Sequence, residues 1–131
     1  MNHSEEMFAR SFIVPEKRER YLSLLQSKKG RDKLRERFYH HPDLDPRFAH
    51  LVPAGQQSST SIERLLRSKG APDTCWVMST NDEIDGREMK LAEALEEVAW
   101  YCDDGTLLSC IPGRLAYFEL AEPGERYILE R

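Results

Sequence analysis

The chain has 131 residues, 40% hydrophobic and 32% charged, with a formal net charge of −4. That balance fits one folded α+β-sized domain over residues 1–131 with its own core, and argues against a disordered or low-complexity chain. No run of about 18 apolar residues occurs, so no membrane-spanning helix is expected, and neither the acidic start Met1–Glu6 nor the short apolar piece Phe12–Val14 fits a signal peptide.

Along the chain, Phe8–Val14 is rich in aromatic and β-branched residues and reads as a strand, with a short helix as the competing reading. Pro15 suits the first turn of a helix and Glu16 and Glu19 suit its positive end, predicting a helix to Lys29. One unbroken helix would split the apolar stripe, because Leu34 and Phe38 fall half a turn away from Leu25. Gly30 is therefore read as a left-handed cap, with a second helix from Asp32 to about His40. Residues 42–59 show no period and contain Pro42, Pro46 and Pro53, which predicts a long packed connection.

Thr60 and Glu63 make a capping-box pattern ahead of Ile62, Leu65 and Leu66, and Gly70 and Pro72 close the helix they begin, predicted over Ser61–Lys69. Thr74–Thr80 reads as an interior strand with Trp76 and Met78 on one side and Cys75 and Val77 on the other. After the turn-forming Asn81–Gly86, apolar residues 91, 95, 98, 99 and 102 predict an amphipathic helix with Glu93, Glu96 and Glu97 outward. Three strands, 106–111, 114–120 and 126–130, are separated by Pro112-Gly113 and Glu122-Pro123-Gly124 and form an antiparallel meander. The expected fold is α+β: an antiparallel sheet made of this meander and the strand near 74–80, packed on one face by the N-terminal and central helices.

Charge is unevenly spread. Residues 1–70 hold 14 Lys and Arg against 9 Asp and Glu, whereas residues 71–131 hold 5 against 14. Such a split serves a polyanion-binding arm, attraction between the halves of one fold, or a contact between two copies. Lys17–Arg37 is the most basic stretch, with Tyr21, Phe38 and Tyr39 in or beside it, residue types that also serve nucleic acids. A sequence pI near 5.6 and the acidic second half make nucleic acid an unlikely partner. Arg31, Arg35 and Arg37, with Trp100 beside the acidic helix face, are the candidate partner-binding residues.

The densest cluster of polar chemistry is His40, His41, Asp43, Asp45, Arg47 and His50. Imidazoles and carboxylates together can hold a divalent ion or act as acid and base. The spacing matches no metal motif, so no metal site is assigned. The structural reading has the histidines complementing a helix C-terminus and the aspartates shaping turns before prolines. Cys110, in Ser109-Cys110-Ile111-Pro112-Gly113-Arg114, is either a thiolate activated by Arg114 or a small buried hydrophobe in a strand, and burial is the reading adopted. Asn81–Gly86 resembles an oxygen-rich calcium loop but lacks the EF-hand ligand spacing and reads as a turn.

Cys75, Cys102 and Cys110 form neither a disulfide framework nor a CxxC motif, which suits reduced thiols in the cytoplasm. No phosphate loop, dinucleotide fingerprint or GxSxG elbow occurs, and no cofactor is expected. The leading expectation is a small cytoplasmic binding or regulatory domain that uses its segregated charge to associate with a protein partner or with itself. The alternative is a small hydrolase or metal-dependent enzyme built on His40, His41, Asp43, Asp45 and His50.

Overall fold

A computed structural model describes residues 1–131 except 41, 101–103 and 122–123 and the side chains of 99 and 100. The chain begins with helix α1 (His3–Phe12), whose first turn is capped by the Asn2 side chain accepting from the Glu5 amide. The expected strand at Phe8–Val14 is therefore helix almost to its end. Phe8, Ala9 and Phe12 fall on one buried stripe at helical spacing, and this burial outweighs local strand propensity.

A 3-10 turn at Pro15–Lys17 leads into α2 (Arg18–Leu24), followed by α3 (Lys28–Glu36) and a 3-10 turn at Arg37–Tyr39. The break between α2 and α3 lies near Ser27, not at Gly30. Ser27 caps α3 by accepting from the Gly30 amide, and Gly30 sits inside the first turn. Its lack of a side chain serves close approach: a Cβ there would stand 2.1 Å from the Leu24 carbonyl oxygen, so α2 and α3 meet backbone to backbone.

The connection contains a short strand, β1 (Ala49–Leu51), before α4 (Ser59–Ser68). Ser58 caps α4 by accepting from the Ser61 amide, so the Thr60–Glu63 capping box is not used. Strands β2 (Thr74–Ser79) and β3 (Arg87–Lys90) form a hairpin, α5 (Leu91–Trp100) follows, and β4 (Thr106–Ile111), β5 (Leu115–Glu119) and β6 (Arg126–Glu130) complete the chain. Among the described residues no helix is long and apolar enough to cross a membrane.

The strands form one six-stranded antiparallel sheet in the order β1-β6-β5-β4-β2-β3. The α+β class and the antiparallel meander stand as expected. The helices, expected together on one face, divide between the two. β2, β4 and β5 are apolar on both sides, with Val77 and Met78, Leu107 and Leu108, and Tyr117 and Phe118 pointing oppositely, so each face needs a cover. Helices α1–α3 and the 3-10 turn after them bury Phe8, Phe12, Tyr21, Leu34 and Phe38 against Met78, Leu107 and Phe118. Helices α4 and α5 bury Ile62, Leu66, Leu91, Leu95 and Val98 against Val77, Leu108 and Tyr117.

Phe8, Phe38 and Phe118 meet as a trio on the α1–α3 face: Phe8 stacks on Phe118 at 6.2 Å, and Phe38 meets Phe118 edge-on at 4.8 Å. Gly105, just before β4, lets this layer close, since a Cβ there would lie 2.2 Å from the Phe38 carbonyl oxygen.

Candidate functional site

The arginines of α3 are divided by the helix period. Arg31 and Arg35, four residues apart, turn toward the β2–β3 hairpin, while Lys28, Lys29 and Lys33 are exposed. Arg31 is forked between two carboxylates, donating to Glu5 from Nε (2.9 Å) and Nη2 (2.8 Å) and to Asp85 from Nη1 (2.7 Å) and Nη2 (2.9 Å). Glu5 is only 2% exposed and also accepts from the Trp76 indole at 2.8 Å. The hydrogen bonds Arg31 donates to Asp85 and Glu5 raise its pKa against the opposing effect of burial, so its charge is fixed. Arg35 donates to Asp82 at 2.8 Å, to Asp32 at 3.0 Å and to the Ser79 carbonyl at 2.9 Å. Two of the arginines expected to contact a partner are thus joined to the acidic half of their own chain. The acidic turn at 81–86 faces these guanidiniums.

Arg37, half-exposed, donates to Asp43 at 3.1 Å, and the Tyr21 hydroxyl donates to the same carboxylate oxygen at 2.7 Å. Burial and then the Asp43 hydrogen bond push the Tyr21 phenol well above its ordinary range. Asp43 has φ +31°, and its loop is fixed to the end of α1 by Val14 N–H donating to the Asp43 carbonyl and Asp45 N–H donating to that of Phe12. Asp45 is buried under Arg47, whose Nη2 donates to it at 2.7 Å, and Arg18 lies 3.6 Å away. The Arg47 hydrogen bonds hold the Asp45 carboxyl below its ordinary range although burial opposes this.

The histidines do not join these aspartates. His40 is exposed at the end of the 3-10 turn, and His50 pairs across strands with Ile128 and so points to the α4–α5 side of the sheet. Asp43 and Asp45 meet Tyr21, Arg37 and the Phe12 backbone on the other side. His41 and the side chain of Trp100 lie outside the described residues; the backbone of Trp100 ends α5. Among the described residues no three His, Cys, Asp or Glu side chains are grouped so as to hold a metal ion.

Two cavities border the regions singled out in the sequence, and they are separate. One, of about 390 Å³, is lined by Pro42, Asp43, Leu44, Pro46, Leu120 and Tyr127, where the proline-rich loop crosses the end of β5 and β6. The other, of about 340 Å³, is bordered by Cys75, Trp76, Glu88, Cys110 and Pro112. Cys110 is buried, and burial pushes its thiol far above the ordinary range. Arg114 is exposed on the turn beyond it. This is the hydrophobe reading of Cys110, with little thiolate at neutral pH.

Glu119 escaped sequence reasoning. It is 1% exposed on β5, its Oε1 accepts from the Tyr117 hydroxyl at 2.9 Å and lies 2.8 Å from Arg126 Nε, and its buried Oε2 has no hydrogen-bond partner among the described residues. Arg126 also donates to the Gln57 carbonyl. Burial raises the Glu119 pKa, and Tyr117 and Arg126 pull it back. The signal was present in the meander, since the hairpin register sets Glu119 opposite Arg126.

No family model matches the chain, and neither a curated protein nor a solved structure matches it.

Proposed function

We propose that this chain is a small cytoplasmic binding or regulatory domain that docks on acidic protein surfaces, a second copy of itself among them, through the outward cations of α3. The observation that carries this reading is the division of charge remaining after the internal ion pairs form. Lys28, Lys29 and Lys33 are exposed without an ion pair among the described residues, on the helix layer covering one face of the sheet. Glu93, Glu96 and Glu97 are exposed in the same condition on α5, which covers the opposite face. Opposite charges on separate faces favour a head-to-tail contact, basic helix to acidic helix, over a twofold one in which each patch would meet itself. The role first expected of Arg31 and Arg35 passes to their outward lysine neighbours, with Arg37 at the margin. Unbridged, buried Cys75 and Cys110 suit a reducing compartment and support the cytoplasmic assignment.

The hydrolase reading draws less support, because His50 and the two aspartates occupy opposite sides of the sheet and each aspartate is already bound to an arginine. Sedimentation velocity tests the association. At low ionic strength the mean mass is expected to rise with concentration, and it should return to the monomer value at about 0.3 M salt, where screening is nearly complete within one contact length. The K28E/K29E/K33E variant is expected to stay monomeric at low salt. A wild-type monomer at every salt and concentration overturns self-docking.

A further inference from the structure

Cys75 and Cys110 stand 35 positions apart in the chain yet meet across two neighbouring strands. The β2–β4 ladder pairs Val77 with Leu108 and ends with Trp76 opposite Ser109; the next residue on each strand is Cys75 and Cys110. Both side chains belong to the core on the α4–α5 face, and the negative charge of a Cys75 thiolate is felt at Cys110. Residues directly opposite in an antiparallel pair have Cα atoms about 4.5 or 5.5 Å apart, and both values fall inside the range of about 4.4–6.8 Å that a disulfide spans. At the same point β4 bulges against β5, with a register shift between Ser109 and Ile111, so the chain around Cys110 is not tied on both sides by regular ladders. A cavity lined also by Asn2, Ser4, Trp76, Glu88 and Ser109 borders the two residues from the α1 side, while their side chains face the α4–α5 core, so exchange proceeds through local opening of the strand ends.

We propose that Cys75 and Cys110 are a modification site: in the folded protein they close a cross-strand disulfide by exchange with a low-molecular-weight disulfide of the glutathione type. One cysteine, losing its proton, attacks a sulfur of the small disulfide. The small S–S bond breaks, one small thiolate leaves, and a mixed disulfide remains on the protein. The second cysteine then attacks the protein-side sulfur, the mixed bond breaks and the second small thiolate leaves. Two protein thiols are oxidised, one small disulfide is reduced to two thiols, and the two cysteine protons end on them. Burial pushes the Cys75 thiol up to about 12 and raises that of Cys110 as well, so little thiolate is present at neutral pH and exchange is slow. The pair therefore answers a sustained oxidising pool and stays reduced in the resting cytoplasm proposed above. Once closed, the bond spans a loop of about 35 residues holding β3 and α5, and constrains the unfolded chain accordingly.

The test incubates the full chain carrying Cys102→Ser with excess oxidised glutathione under native conditions, followed by intact mass, peptide mapping and thermal unfolding. The expected product is lighter by two hydrogen atoms, yields a Cys75–Cys110 linked peptide, melts about 10 °C higher than the reduced form, and reverts with dithiothreitol. Adding Cys110→Ala should leave the mass without that loss. Peptide mapping of the wild-type chain reads the pairing directly if the Cys102 variant folds poorly. The proposal is overturned by glutathione adducts without the 75–110 link, by a link that forms only in denaturant, or by a link that lowers the melting temperature.

Discussion

On the α1–α3 face, three phenylalanines interlock above the sheet, and beside them Glu5, Arg31, Asp85 and Trp76 tie the first helix, the third helix and the β2–β3 hairpin with charged groups. On the α4–α5 face the cover is almost entirely aliphatic, with Ile62, Leu66, Leu91, Leu95 and Val98 over Val77 and Leu108. The first face demands particular partners, because a forked guanidinium between two carboxylates has one good geometry. The second demands volume and shape, and tolerates hydrophobic exchange more readily. Charge segregation in the sequence is thus partly architecture: it places cations of residues 31 and 35 against acids of residues 82 and 85.

The largest effect that would break this contrast is Arg31→Ala. It leaves Glu5 and Asp85 without their shared cation in a poorly solvated place, and about 4 kcal/mol of stability should be lost in urea unfolding; a loss below about 1 kcal/mol would mean that the network is ornamental. Leu108→Ala on the aliphatic face should cost about 3 kcal/mol through lost burial and a cavity, while Leu108→Met should cost less than about 1.5 kcal/mol. If the methionine is as damaging as the alanine, that face is no more tolerant than the other. Trp76→Phe keeps most of the ring and removes the indole N–H to Glu5, with an expected cost of about 1 kcal/mol by the same measurement.

The smallest effect is in the pH dependence, where the two faces have opposite sign. Asp45 on the α1–α3 side is held by Arg47 below its ordinary range. Its contribution is complete above the unfolded aspartate pKa and disappears as pH falls through the lowered folded value. The effect is small because its cover is the largely exposed Arg47. Glu119 on the α4–α5 side is raised by burial and binds its proton more tightly in the folded chain. Stability therefore falls as pH rises from the ordinary glutamate pKa to the raised folded one. The urea midpoint followed against pH should show a slightly shallower acid decline in Asp45→Asn and a shallower decline above the glutamate range in Glu119→Gln.

Most elements could be read from the residues because their local signals agree with their burial. β2, the meander and α5 have periods of two or near four with clear turn residues between them. The exceptions have physical causes. Arg87–Lys90 is an edge strand of three charged residues and Met89, which carries no alternation of apolar residues. Ala49–Leu51 is three residues long, half exposed, and paired with a strand nearly 80 residues away. Gly30 looked like a cap because its phase in the helix was unknown, whereas what fixes it is the Leu24 backbone beside it. At the candidate site, composition marked the arginines and the His/Asp loop. Which cations point inward depends on where α3 starts, and the separation of His50 from Asp43 depends on the register of β1. Neither is written in local spacing.

The central place of β4 and β5 has a consequence for a chain made from its amino end. Residues 106–119 occupy the middle of the sheet, so α1–α4 and β1–β3 leave the ribosome before their common support exists. Phe8 and Phe38 cannot reach Phe118 until residue 118 has been made, and β1 must wait for β6. The nascent α1–α3 layer carries its aromatic face uncovered until then. The sheet's central strands therefore come after the helices that cover them, and the growing chain exposes apolar surface until they arrive.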